Sequence, residues 1–117
     1  MPQKIYVAGP ITGVRDWQKR HKHACEQLRS AGYTPVSSVL PECLDGTQPQ
    51  SLDHGVETWM AWLAYDLKLL NGCDGIALMP GWHTSRGAFV EQLVAKRYLN
   101  LAAHSIETWL DNRIVPA

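Results

Sequence analysis

Two acidic side chains in apolar surroundings offer the most specific chemistry in this sequence. Glu91 lies among Phe89, Val90, Leu93 and Val94, and Asp66 lies between Tyr65 and Leu67, 25 residues earlier. A carboxylate on a buried helix needs partners, a raised pKa or a task. On the solvent face it needs none, and spacing leaves both readings open for Glu91. Asp66 likewise reads either as a cleft residue facing Glu91 or as a polar-face residue beside Lys68 and Lys22. If the two share a cleft, they are the minimal equipment for breaking a glycosidic bond: one nucleophile or stabiliser and one proton handler across an anomeric carbon.

Two glycine-containing segments could line such a cleft. In Gly9-Pro10-Ile11-Thr12-Gly13 the glycines let backbone approach a ligand closely, or serve only a tight strand-to-helix turn. The segment is not GxGxxG, and no GK[ST] occurs, so neither a dinucleotide fingerprint nor a P-loop is supported. In Trp82-His83-Thr84-Ser85-Arg86-Gly87, Ser85 can cap a helix whose free N–H groups favour an anion. Gly87 costs helix propensity, which makes sense if something packs close to the backbone. Arg86 fits either that anion or a surface ion pair, and Trp82 either base stacking or loop packing.

Short apolar runs alternate with helical periods, and this order positions those residues. Strands are expected at Lys4–Ala8, Tyr33–Ser37, Asp74–Met79 and Asn100–Ala103. Helices are expected at about Asp16–Ala31, Glu57–Leu70, Ser85–Tyr98 and Ser105–Leu110, the first stopped by Gly32. Pro35 suggests an edge for the second strand. Leu40–Gly55, with two prolines and two glycines, reads as a long loop of the functional kind. The implied fold class is α/β: a small Rossmann-like (flavodoxin-like) three-layer fold with a four- or five-stranded, mostly parallel sheet, forming one domain over residues 1–117. Ligands in such sheets sit beyond the carboxyl ends of the strands, where both glycine-containing segments fall.

Composition excludes several alternatives. Hydrophobic residues make up 45% and charged residues 19% of the 117, an ordinary core-forming balance. Eleven basic residues offset eleven acidic ones, which argues against a nucleic-acid binder and a basic membrane anchor. No apolar run approaches the roughly 18 residues of a bilayer span, and the first residues read as a strand rather than a signal peptide. Cys25, Cys43 and Cys73 form no CxxC, so free thiols in a reducing cytoplasm are expected. His21 and Cys25 could converge on one helix face, His23 not. Two ligands are too few for a closed zinc site, and a solvated face is expected there. Trp59 is assigned to the stripe with Leu63, Leu67 and Leu70, whereas Trp62 and Tyr65 are expected to meet a partner subunit.

The sequence resembles the nucleoside deoxyribosyltransferase-like superfamily, closest to its deoxynucleoside 5′-monophosphate N-glycosidases and to a small branch common in phages and bacteria. The resemblance rests on Ile5–Gly13, Trp59-Met60 with Asp66-Leu67, Leu70 with Cys73-Asp74, Pro80-Gly81-Trp82, and Ser85–Ala88 with Glu91, in this order. It implies that Glu91 is the nucleophile attacking the sugar, that Asp66 contacts base or sugar and helps the leaving base gain its proton, and that Tyr6 orients Glu91. Ser85 stands where base-exchanging relatives carry an aspartate and monophosphate hydrolases a serine that contacts phosphate. A hydroxyl at a helix start attracts a phosphate that a carboxylate would repel. The hydrolases carry an arginine where this chain has Thr12, and Arg15 lies three residues on. The resemblance thus implies a nucleotide N-glycosidase, with a non-catalytic nucleotide-binding module or a base-exchanging transferase as alternatives. Gly9, Pro10, Thr12, Gly13, Trp82, Ser85, Arg86 and Gly87 would bind substrate. No metal or redox cofactor is implied, and a homodimer or higher homo-oligomer is. Tyr6, by donating to Glu91, is expected to keep its pKa from climbing despite burial.

Overall fold

The chain alternates strand and helix throughout the residues that the computed structural model describes, 2–112. The strands are β1 (Lys4–Ala8), β2 (Thr34–Val36), β3 (Gly75–Leu78) and β4 (Ala102–Ser105). They form one sheet in the order β2-β1-β3-β4, every pair parallel. The helices are α1 (Trp17–Ser30), α2 (Val56–Asn71), α3 (Arg86–Arg97) and α4 (Ile106–Asn112), with single 3-10 turns at Pro41–Cys43 and Trp82–Thr84. This is the small Rossmann-like three-layer α/β fold, with four strands and the strand order of the flavodoxin-like pattern.

The central strands β1 and β3 are apolar and almost wholly buried, as parallel strands covered on both faces must be. Their side chains alternate. Ile5, Val7, Ala77 and Met79 join Ala24, Cys25 and Leu28 of α1 and Ile106 and Trp109 of α4 in one core cluster. Tyr6, Ala8, Ile76 and Leu78 join Leu70 of α2 and Ala88 and Ala95 of α3 in the other. On the first face the Trp109 indole lies over β3 and donates to the Ile76 carbonyl at 2.9 Å. Gly75 makes that possible, since a Cβ there would fall 2.6 Å from the indole ring.

Several boundaries and faces differ from the sequence expectation. β4 begins two residues later than expected, at Ala102, because α3 unwinds through a longer exit. Asn100 takes φ 54°, and the N–H groups of Leu99 and Leu101 return to the Val94 and Ala95 carbonyls. The expected solvated face of α1 is buried instead. His21 and Cys25 lie on the stripe with Ala24 and Leu28, at helical spacing, facing the sheet. Trp59 is 40% exposed rather than core, and Tyr65 is buried rather than free for a partner. The loop 44–55 folds back on α2 and covers Tyr65, whose hydroxyl donates to the Cys43 carbonyl and accepts from the Asp45 N–H. Trp62 donates to the Ser51 carbonyl of the same loop at 3.0 Å. α3 is less buried than its apolar residues suggest. Ala88, Glu91 and Ala95 face inward, while Phe89 and Leu93 are exposed. The three cysteines are free, Cys25 and Cys73 buried. No described helix is long and apolar enough to cross a membrane.

Candidate active site

Three elements bring one titratable side chain each to the α2/α3 face of the sheet. Tyr6 comes from the middle of β1, where its register partners are Val36 and Ile76. Glu91 comes from the inward stripe of α3, flanked by Ala88 and Ala95, whose small side chains let the helix sit close to the sheet. Asp66 comes from α2, which packs against α3. The Tyr6 hydroxyl donates to Glu91 Oε2 at 2.5 Å, and both residues are buried. Asp66 is half-buried, and its Oδ1 is shielded from solvent without a hydrogen-bond partner.

The electrostatics follow from burial and mutual proximity. Burial, then the nearby Asp66 charge, raises the Glu91 pKa, and the Tyr6 hydroxyl only partly offsets them. The expectation that Tyr6 would hold Glu91 at its ordinary value therefore fails, because one hydrogen bond does not outweigh desolvation plus a like charge. Burial also raises Asp66, while the Ser38 and Tyr6 hydroxyls pull it back. Tyr6 is raised well above its ordinary value by burial and then by the Glu91 and Asp66 charges, so it remains a donor. The two carboxyl groups act as a coupled pair, and the first proton taken up belongs to both.

The first loop runs from β1 into α1 over the rim. Gly9 is buried, and a Cβ there would fall 2.6 Å from Met79 Sδ, so this glycine serves packing on the α1/α4 face. Gly13 serves the turn, at φ 80°. Thr12, Gly13 and Arg15 are exposed and Pro10 is half-buried. Pro10 approaches the second loop, since a Cβ on Gly81 would lie 3.5 Å from its Cγ. The two rim loops thus touch, as their positions at the carboxyl ends of neighbouring strands require.

In the second loop Ser85 is the N-cap of α3, and its Oγ accepts from the Ala88 N–H at 3.3 Å. Its own proton remains free to donate. Arg86 is exposed and makes no ion pair among the described residues. Above Gly87 the nearest atom to an added Cβ would be Trp59 Nε1 at 3.9 Å, so nothing in the chain forces a glycine there. Trp82 stacks on Phe89, with centroids 6.4 Å apart and planes at 15°, and packs against the α2/α3 cluster. That favours the loop-packing role.

Sequence reasoning missed Ser38, in the turn after β2, whose hydroxyl is among the influences that hold the Asp66 pKa down. It also missed the buried His21 beneath the first loop. Among the described residues no three His, Cys, Asp or Glu side chains are grouped to hold a metal ion. Two surface clefts of about 390 and 490 Å³ open elsewhere, and neither is lined by Tyr6, Asp66 or Glu91. The buried acid pair, rather than volume, marks the site.

Fold and cluster together define a small α/β protein with a buried tyrosine–glutamate hydrogen bond and a neighbouring aspartate on one face of its sheet. Residues 3–102 match the family model described as Domain of unknown function (DUF4406), and the chain belongs to that family. A comparison with curated proteins finds no match.

Proposed function

We propose that this chain is an N-glycosidase that hydrolyses the base–sugar bond of (deoxy)nucleoside 5′-monophosphates through a covalent glycosyl-Glu91 intermediate. The observation that carries the reading is the buried Tyr6–Glu91 hydrogen bond with Asp66 close enough to perturb both. A paired, singly protonated carboxyl system is what glycosidic cleavage needs. In the reaction, ionised Glu91 forms a bond to C1′ as the C1′–N bond breaks. The electron pair goes to the base nitrogen, which takes a proton from Asp66. Water then attacks C1′, releasing Glu91 and returning a proton to Asp66. Positive charge developing on the sugar favours the ionised form of Glu91, against the burial that opposes it. The helix start at Ser85 and the unpaired Arg86 supply donors and charge for a phosphate. The chemistry matches the nucleoside deoxyribosyltransferase-like resemblance of the sequence.

A nucleotide-sensing module is the second reading, favoured by the raised Glu91 pKa, since a neutral carboxyl group binds without attacking. Base exchange is a third outcome of the same site, and Ser85 speaks against it. The decisive experiment incubates the chain with deoxy- and ribonucleoside monophosphates and reads free base by mass spectrometry. Base release is expected, and Glu91→Gln is expected to lower it by roughly 10⁴-fold or more. Intact nucleotide recovered from a tight complex supports the sensor. A new nucleoside on adding a second base supports exchange.

We propose that the chain acts in the cytoplasm as a homodimer joined across α2 and α3. Free thiols support the compartment. Exposed Val56, Trp59, Met60, Phe89 and Leu93, spread over those two packed helices, support the surface. Light scattering at micromolar concentration is expected to give twice the chain mass, and the Phe89→Lys variant the single-chain mass.

A further inference from the structure

His21 is a buried titratable side chain that the proposed chemistry does not use. It is 4% exposed, and both ring nitrogens are shielded from solvent without a hydrogen-bond partner. A neutral imidazole presents one donor and one acceptor, so burial leaves both unmet. A protonated ring would leave two donors and a charge unmet, which is far costlier.

The cover over this ring is thin. His21 is the first buried residue of α1. Ahead of it, residues 11–20 are exposed except for half-buried Val14 and Trp17, and the Trp17 ring meets the imidazole edge-on with centroids 5.9 Å apart. Asp16, at the N-cap of α1, makes no side-chain cap hydrogen bond, and the first turn holds no acid. The Asp16–Arg20 ion pair at 2.9 Å is exposed on both sides and holds little in water. The loop before it closes one turn, from the Val14 N–H to the Ile11 carbonyl at 3.1 Å. Opening this end gives up little buried apolar area, whereas opening the sheet would expose Ile5, Val7 and Leu28.

Nothing on this face offers the charged ring a partner. Among the described residues no carboxylate is buried there. The Cys25 thiol, one turn along the same stripe, is pushed up to about 12 by burial. Tyr33 and Cys43 are partly buried in the same core cluster, and the Tyr33 hydroxyl is given to the Trp109 carbonyl at 2.9 Å. On α4, Glu107 and Asp111 are exposed. β1 turns Ile5 and Val7 to this face, and β2 has no titratable residue.

We propose that His21 is a pH-sensitive latch on the start of α1: with the ring neutral the helix end closes over it, and with the ring protonated the segment 16–21 opens and gives the imidazolium to water. The opening is local because the uncapped helix end is the cheapest part of this face to release. Any effect on substrate rests on the glycosidase reading, which gives Thr12 and Gly13 of the preceding loop to substrate; the opening itself does not.

The test follows amide hydrogen exchange of the whole chain between pH 7.5 and pH 5, with the intrinsic pH dependence of exchange divided out. Protection of the amides of Arg20–Ala24 is expected to fall by up to about tenfold per pH unit below the His21 midpoint, while Ala88–Ala95 of α3 keep theirs. His21→Leu, uncharged at every pH, is expected to abolish the fall, and His21→Gln to do the same if leucine overfills the site. Protection independent of pH, an equal fall in α1 and α3, or a fall that persists in the uncharged variants overturns the proposal. In parallel, KM for the nucleotide is expected to rise as pH drops through the same window in the wild-type chain and not in His21→Leu. If the wild-type chain releases no base at any pH, the glycosidase reading fails while hydrogen exchange still decides the latch.

Discussion

The face of the sheet under α1 and α4 and the face under α2 and α3 solve different problems with the same strands. Under α1 and α4, Leu28, Cys25, Ile5 and Val7 are almost fully buried, and Trp109 closes over them. Besides the Cys25 thiol, the titratable side chain buried there is His21. Both of its ring nitrogens lack hydrogen-bond partners. Burial lowers its pKa, partly offset by the Pro10 and Gly9 carbonyls nearby. Under α2 and α3 the covering residues on α3 are alanines around Glu91, and large apolar side chains point outward. One face maximises apolar burial. The other gives up burial to hold acids close together, and free energy lost at a site is recovered elsewhere in the fold. A single parallel sheet permits this division because its residues alternate between two independent interiors.

The largest expected effect tests the division of apolar burial. Leu28→Ala removes a side chain with no exposure and is expected to cost about 2–5 kcal/mol in urea unfolding. Leu67→Ala, on a half-buried leucine of the other face, is expected to cost about half as much. Equal losses would break the comparison.

A smaller effect sharpens it through pH. The folded chain holds His21 below its ordinary 6.5, so the unfolded chain takes up that proton first. The stability it contributes is complete above 6.5 and is lost as pH falls through the folded value. Glu91 and Asp66 are raised, so the folded chain keeps protons that the unfolded chain has released. Their contribution is complete below the ordinary values of 4.5 and 3.8 and is lost as pH rises through the folded values. Calorimetry between pH 5 and pH 9 is expected to show Glu91→Gln flattening the decline at higher pH, with a gain of about 2–5 °C in Tm there. His21→Leu is expected to flatten the decline at lower pH. One variant removing both declines would show that the two faces are coupled.

Much of the architecture was legible because local signals agreed with it. β1 and β3 are short apolar runs, Gly32 ends α1's exit at φ 96°, and Ser85 and Ser105 cap their helices. His21 and Cys25 were misplaced although their spacing from Leu28 carried the signal, because their polarity was weighed above their period. Tyr65 was misplaced for a different reason. Its cover comes from the loop 44–55, and no periodicity within α2 announces a contact with a distant loop. The acids were legible as residue types in apolar company. Their meeting with Tyr6 depends on strand register and on the α2–α3 contact, so geometry alone could reveal it.

Pro35 leaves a last consequence at the outer margin of the sheet. Thr34 turns its N–H inward to the Gln3 carbonyl, Tyr33 spends its own on Leu28, and Pro35 between them and Val36 has none. Along Tyr33–Pro35, β2 therefore offers an incoming strand no amide hydrogen to grip, which blunts the templating that turns open sheet margins into fibre seeds. That margin of the sheet is thereby poorly suited to edge-to-edge extension.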